Sequence, residues 1–425
     1  MKKWVILLCA LFAFPMMAFA SGGTDGYHIA GIPLEFIFFG LTLIGIAIFH
    51  HHTLRVALIG LVVTSVYKIV TQDFNIGHHF DEESTIIINL LGLLMGFEIL
   101  AHLFESTHIP RIIPKYLPHN WMGPFLLLVI IFLLSAFLDN IAAALIGGSI
   151  AHVVFRGKVH IGYLAAIVAS SNGGGSGSVL GDTTTTMMWI DGVAWYDVLH
   201  AYAAAIPGFL VYGIIGAIIQ HRYHPMLKGS YDMPKIDYKK LLVVILILVG
   251  AVYANIRYDF PSAGVWIAII LGGLITKIEW DALQKAVPGA VFLCSLVFLA
   301  SMMPVQDLPG ASWESTLVLG FISSVFDNIP LTKLALDQGG YDWGVLAYAV
   351  GFGGSMIWFG SSAGVALSNM YPETRSVALW VKNGWFIIVG YIVGFTILML
   401  TLGWHPHTPH KNTDTIQTET PHSNP

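Results

Sequence analysis

SSNGGGSGSVLGDTTTTMMWID, residues 170–191, breaks an apolar run with three consecutive glycines, a Ser-Gly-Ser and an aspartate. Glycine is among the poorest helix formers, and Asp182 places a charge where the flanking residues call for hydrocarbon. Backbone freed from a helix at membrane depth survives only where protein, water or an ion satisfies it. The stretch therefore predicts a membrane helix that unwinds around 172–178 beside a polar cavity. Its carbonyls and hydroxyls are hard oxygen donors, suited to a small alkali cation.

The rest of the chain supplies the membrane. Of 425 residues, 56% are hydrophobic and 11% charged, with a mean hydropathy of +0.72. A soluble domain carries about 25% charged residues, so the expectation is an all-α polytopic membrane protein. A net charge of −5 without a basic block excludes a nucleic-acid partner, and Cys9 and Cys294 are too few for a disulfide framework. Lys2 and Lys3, an apolar stretch and Ala18-Phe19-Ala20 match a secretory signal peptide over residues 1–20.

Spanning helices need roughly 20 apolar residues. Candidates cover 32–49, 53–70, 85–104, 160–186, 198–220, 240–256, 262–276, 286–303, 343–369 and 384–403. Two further runs, 122–155 and 311–336, carry Asp-Asn at their centres, in "FLDNIAAAL" and "FDNIPLT". A carboxylate at the bilayer centre costs roughly 2.5–3.5 kcal/mol on insertion scales. A re-entrant hairpin with the pair at its tip avoids that cost by lining a polar cavity. Of the 18 Lys and Arg residues after the signal, 14 fall in alternate loops, and the opposite loops 71–84, 187–197 and 304–310 hold none. The basic loops are then cytoplasmic, with the mature N-terminus and the C-terminus outside.

This topology divides the chain into two halves of opposite orientation. Residues 21–221 form the first, with a hairpin at 122–155 and a broken helix at 160–186. A cytoplasmic linker, 222–239, leads to the second, 240–403, with a hairpin at 311–336 and a broken helix at 343–369. A polar, disordered tail, 404–425, follows. Asp139 and Asp327 lie 188 residues apart, and the same separation sets Gly173–Ser176 opposite Ser361–Gly364. Paired breaks in an inverted repeat point to a midplane transport site.

No lysine or arginine adjoins Asp139, so a cation or a proton must balance it, which outlines a cation/proton exchanger. Asp139 and Asp327 rank first, with Asn140 and Asn328 beside them. Asn172, Gly173, Gly174, Ser176, Ser361 and Ser362 are candidates to complete a sodium shell. Asp182 and Thr183 rank second, near the site. Glu98 and His102, one helical turn apart, could relay protons or sense pH, or could be a satisfied interhelical pair. Lys333 could pair with Asp327 or with Asp337, four residues on.

FLDNIAAAL, SSNGGGSGSVLGDTTTTMMW, FDNIPLT and GSSAGVALSN resemble the NhaD-type sodium/proton antiporters of the ion transporter superfamily. That superfamily also holds arsenite permeases and divalent-anion/sodium symporters, and the resemblance covers most of the mature chain. It implies about ten transmembrane helices, two oppositely oriented hairpins, a homodimer and elevator-type motion. The superfamily's carboxylate transporters carry Ser-Asn-Thr at the hairpin tips. Here the tips are Asp139-Asn140-Ile141 and Asp327-Asn328-Ile329, which would repel a dicarboxylate. The expectation is an inner (plasma) membrane transporter, not an enzyme. It would exchange sodium, and lithium, for protons without a cofactor, with the lipid bilayer and small cations as its partners. A sodium-coupled di- or tricarboxylate symporter is the alternative.

Overall fold

The computed structural model describes residues 27–29, 31–49, 52–226 and 234–407. The expected signal peptide and the tail beyond residue 407 lie outside the described residues. A short antiparallel pair, β1 (His28–Ile29) and β2 (Ile32–Pro33), precedes a chain that is otherwise helical.

The first half begins with α1 (Leu34–Ile48), α2 (Thr53–Thr71) and α3 (Ile76–Ser106), then a short α4 (Ile109–Tyr116). Helices α5 (Met122–Ser135) and α6 (Asn140–Val154) form the first hairpin. Helices α7 (Ile161–Gly175) and α8 (Thr183–Ile190) are the broken helix, and short α9 (Trp195–Leu199) leads into α10 (Tyr202–Tyr223). The second half repeats the order with α11 (Tyr238–Tyr258), α12 (Pro261–Gly272) and α13 (Asp281–Ser301). The hairpin α14 (Trp313–Ser323) and α15 (Asn328–Gln338) follows, then the broken α16 (Trp343–Gly353) and α17 (Ser362–Met370), then α18 (Val377–Thr401). Among the described residues α2, α3, α10, α11, α13 and α18 are long and apolar enough to cross a membrane. Helices α1 and α12 and the two broken helices fill the other expected spans.

The helices pack as two groups. One contains α1, α2, α3, α11, α12 and α13. The other contains both hairpins and both broken helices around α10 and α18, which pack along each other. Within the second group the halves exchange partners: α17 lies on α6, and α15 lies on α8.

Aspartate caps explain why the hairpins turn where they do. Asp139 accepts the Ile141 amide at 3.0 Å and starts α6; Asp327 accepts the Ile329 amide at 3.0 Å and starts α15. Each carboxylate satisfies one of the unpaired amides at a helix start. Asp182 and Ser361 cap α8 and α17 in the same way.

Three expectations change. The triple glycine is not unwound: α7 continues through Gly175, and the break spans 176–182. Gly174 permits close packing instead, since a Cβ there would stand 2.0 Å from the Phe132 carbonyl oxygen. The repeat also has a different register in the broken helices. A Cβ at Gly353 would stand 2.2 Å from the Gly320 carbonyl oxygen, just as one at Gly174 would meet that of Phe132. Ser135 Oγ donates to the Ser171 carbonyl, and Ser323 Oγ to that of Val350. The hairpins therefore match 188 residues apart and the broken helices 179 apart. The arms account for the slip: α15 and α16 have 11 residues each where α6 and α7 have 15. Finally, the tail begins later than residue 404. The His405 amide donates to Asp342, and the His407 amide to the Tyr341 carbonyl, so this segment is fastened across the start of α16.

Candidate functional site

Asp182 is the hub of a buried polar cluster drawn from both halves. It is 2% exposed. Asn140 Nδ2, from the first hairpin, donates to Asp182 Oδ1 at 3.3 Å, and Asn328 Nδ2, from the second, donates to Oδ2 at 3.4 Å. Asn140 Nδ2 also donates to Asn172 Oδ1 at 3.1 Å. The Asn172 amide then crosses to the second break, donating to Ser355 Oγ at 2.9 Å and Ser361 Oγ at 3.0 Å. Hydrogen bonds to a charged group contribute about 1.5–3 kcal/mol each, so the two asparagines offset part of the cost of burying Asp182.

The sequence ranks Asp139 and Asp327 above Asp182, whereas the asparagine hydrogen bonds centre on Asp182. Asp182 joins the two hairpins, and Asp139 and Asp327 flank the asparagines that reach it. Asp139 opens onto a cavity. Asp327 instead accepts the Ser362 hydroxyl at 3.3 Å. Gly351 leaves room for the hub, since a Cβ there would lie 3.2 Å from Asp182 Oδ2.

The break's own carbonyls are largely consumed. Thr185 Oγ1 donates to the Ser178 carbonyl at 2.6 Å and Thr186 Oγ1 to that of Val179 at 2.8 Å. Ser176 Oγ turns back onto the Gly173 carbonyl, and Tyr202 donates to that of Gly174. The later threonines of DTTTT thus close the backbone that the break opens. The Ser176 hydroxyl and the Gly173 and Gly174 carbonyls are therefore already engaged within the protein.

A cavity of about 700 Å³ leads to the cluster. Asp139, Asn140, Asp182, Thr183, Asn328 and Ser362 line its inner end. Glu98, His102 and Glu105 line one wall, and Arg111 and Lys285 stand exposed at its mouth, at the end of the molecule rich in basic loops. Glu98 and His102 therefore face the same space as Asp139. They do not form the expected pair: His102 Nδ1 lies 3.8 Å from Glu279 across the mouth. Lys333 pairs with Asp337 at 2.7 Å and with Glu83 at 3.0 Å, and not with Asp327. Sequence reasoning missed Ser355 and Glu83. Ser355 follows once the breaks are matched 179 residues apart, because it then stands opposite Ser176. No local signal marks Glu83.

Comparison with known proteins places the chain in a family. A family model described as citrate transporter matches residues 41–353. The chain belongs to the citrate transporter family. Curated relatives of this family member include "Sodium/proton antiporter 1" of Arabidopsis thaliana, 24% identical over 400 residues, covering 78% of this chain and 64% of that protein. "Na(+)/H(+) antiporter NhaD" of Alkalimonas amylolytica is 23% identical over 321 residues, covering 63% and 66%. The protein of the same name from Halomonas elongata is 22% identical over 327 residues, covering 64% and 66%. The chain thus spans just under two thirds of the length of these relatives. Family and helices together make it a multi-pass membrane protein.

Proposed function

We propose that this chain is a sodium/proton antiporter that also accepts lithium. One observation carries the reading. Three carboxylates, Asp139, Asp182 and Asp327, gather around two asparagine amides, and the basic side chains nearby are engaged elsewhere or stand at the cavity mouth. Such a centre attracts a cation or a proton and repels an anion. The relatives' names agree with that choice, although the family is described by citrate.

In this account the basic end is cytoplasmic, and both termini of the mature chain lie outside the inner (plasma) membrane. Sodium enters through the cavity and is held by Asp182 and Asp139, with Asn140, Asn328 and the Ser361–Ser362 hydroxyls about it. Protons replace it on the same carboxylates, and Glu98 hands them along the cavity wall. The hairpins and broken helices move as one body against the α3–α13 scaffold, in a homodimer of two such chains. Driving force suffices, since one pH unit supplies about 1.4 kcal/mol per proton and 100 mV about 2.3 kcal/mol per charge.

Everted membrane vesicles test the reading. Added sodium should collapse a proton gradient at alkaline pH, seen as dequenching of a pH-sensitive dye; no dequenching with sodium or lithium sinks it. The family description and a cavity far larger than one ion favour a second reading, carboxylate symport. Sodium-dependent uptake of labelled citrate would establish that reading in place of the first.

A further inference from the structure

Lys333 is 2% exposed and sits on α15, the inner arm of the second hairpin. Its ammonium reaches Asp337 on its own helix at 2.7 Å and Glu83 on α3 at 3.0 Å. Helix α3 belongs to the other packing group. The pair is thus an ionic tie between two bodies, at the end of the molecule opposite the cavity mouth. The first hairpin has no such tie. Its arm α6 contains no Asp, Glu, Lys or Arg, and the residue matching Lys333, 188 positions earlier, is Leu145 on the cavity wall. Helix α15 also rests on α13, while α6 faces the scaffold across the cavity.

We infer that Lys333 is an ionic latch that holds the acidic end closed, and that the Lys333–Glu83 contact must part before the cavity can open there. The inference rests on alternating access by a carrier and not on which solute is carried. Asp337 makes release feasible. When α15 leaves α3, Lys333 retains a carboxylate one turn away, so no lone ammonium is stripped of its partner. Glu83, 15% exposed, is left on α3 beside the exposed Asp81 and Glu82. The latch lowers the energy of one state only, so its removal shifts the population toward the other.

Labelling tests this without any measurement of ion flux. In a Cys9→Ser, Cys294→Ser background, Ser149→Cys on the cavity wall reports opening at the basic end. An impermeant maleimide is added to everted vesicles. Glu83→Gln should slow labelling by at least about threefold. Glu83→Gln leaves Lys333 paired with Asp337 alone, so the Glu83→Gln, Lys333→Met, Asp337→Asn variant, which removes every charge of the tie, serves as a second case, and it too should label slowly. Lys333→Arg, which retains the tie, should label like the parent. A labelling rate unchanged in both latch-free variants overturns the inference. Absence of sodium exchange in the parent would sink the antiporter reading and leave this result intact.

Discussion

The two hairpins share a cap and an asparagine contact, and differ in what packs around them. Asp139 and Asp327 start α6 and α15 with the same 3.0 Å bond to the amide two residues on. Their asparagines both donate to Asp182. Yet the first tip opens into a cavity of about 700 Å³. The second is packed on α13, bonded to Ser362 and latched through Lys333 to α3. An internal repeat supplies equal parts, and the conformation makes them unequal. The hub is unequal by sequence too: at the matched positions, the first half has Asn172 and Asp182 where the second has Gly351 and Ser361.

Removing the hub is expected to have the largest effect. Asp182→Asn keeps its volume and the chance to bond Asn140 and Asn328, but removes the charge that both halves converge on. Sodium-dependent dequenching in everted vesicles should fall to background. Asp139→Asn should lower the exchange rate by about 100-fold, equivalent to about 2.7 kcal/mol, and Asp327→Asn by about tenfold less. The hydroxyl that Ser362 already gives Asp327 is the reason for the difference. Equal losses at 139 and 327 would break the comparison and make the hairpins equivalent ion sites.

A smaller effect sharpens the structural half of the comparison. Ser135→Ala and Ser323→Ala each leave one buried carbonyl, of Ser171 and Val350, without its hydroxyl donor. Each should cost about 1–2 kcal/mol, read as a lowered melting temperature of the detergent-solubilised protein. The two losses should agree to within about 0.5 kcal/mol, because the geometry is the same in both halves. If one is silent, the 179-residue match between broken helices is only apparent.

These comparisons also show what the sequence could reveal. Apolar runs of spanning length and Asp-Asn at the centre of two of them predict the hairpins and most helix ends closely: 122–155 becomes α5 and α6, and 311–336 becomes α14 and α15. Single residues with a strong local meaning were also legible, such as Glu98 on the cavity wall and Asn140 at the tip. The break was misplaced because glycine lowers helix propensity but also lets backbones approach, and only packing decides which use prevails. The register slipped because both arms shorten in the second half, which no local motif records. Glu83 and Lys333 are 250 residues apart, and their contact depends on how two packed groups meet.

The smallest expected effect concerns an end of the chain, outside the repeat comparison proper. The segment after α18 fastens the start of α16, the first segment of the second broken helix, and joins it to α9 through Asp197. His407 Nε2 lies 2.8 Å from Asp197, and Trp343 Nε1 donates to the His407 carbonyl at 2.9 Å. Partial burial disfavours the charged imidazole. The His405 carbonyl and the carboxylates of Asp197 and Asp342 outweigh that, and hold the His407 pKa above its ordinary value. A raised histidine pKa stabilises the fold fully below the unfolded value, about 6.5, and that contribution is lost as pH rises through the folded value. The His407 side chain is 40% exposed, so solvent screening limits the gain to about 0.2–1 kcal/mol. His407→Gln should therefore lower the melting temperature slightly at about pH 6 and not at about pH 9. An equal shift at both pH values would mean that the charge on His407 contributes nothing to fastening α16.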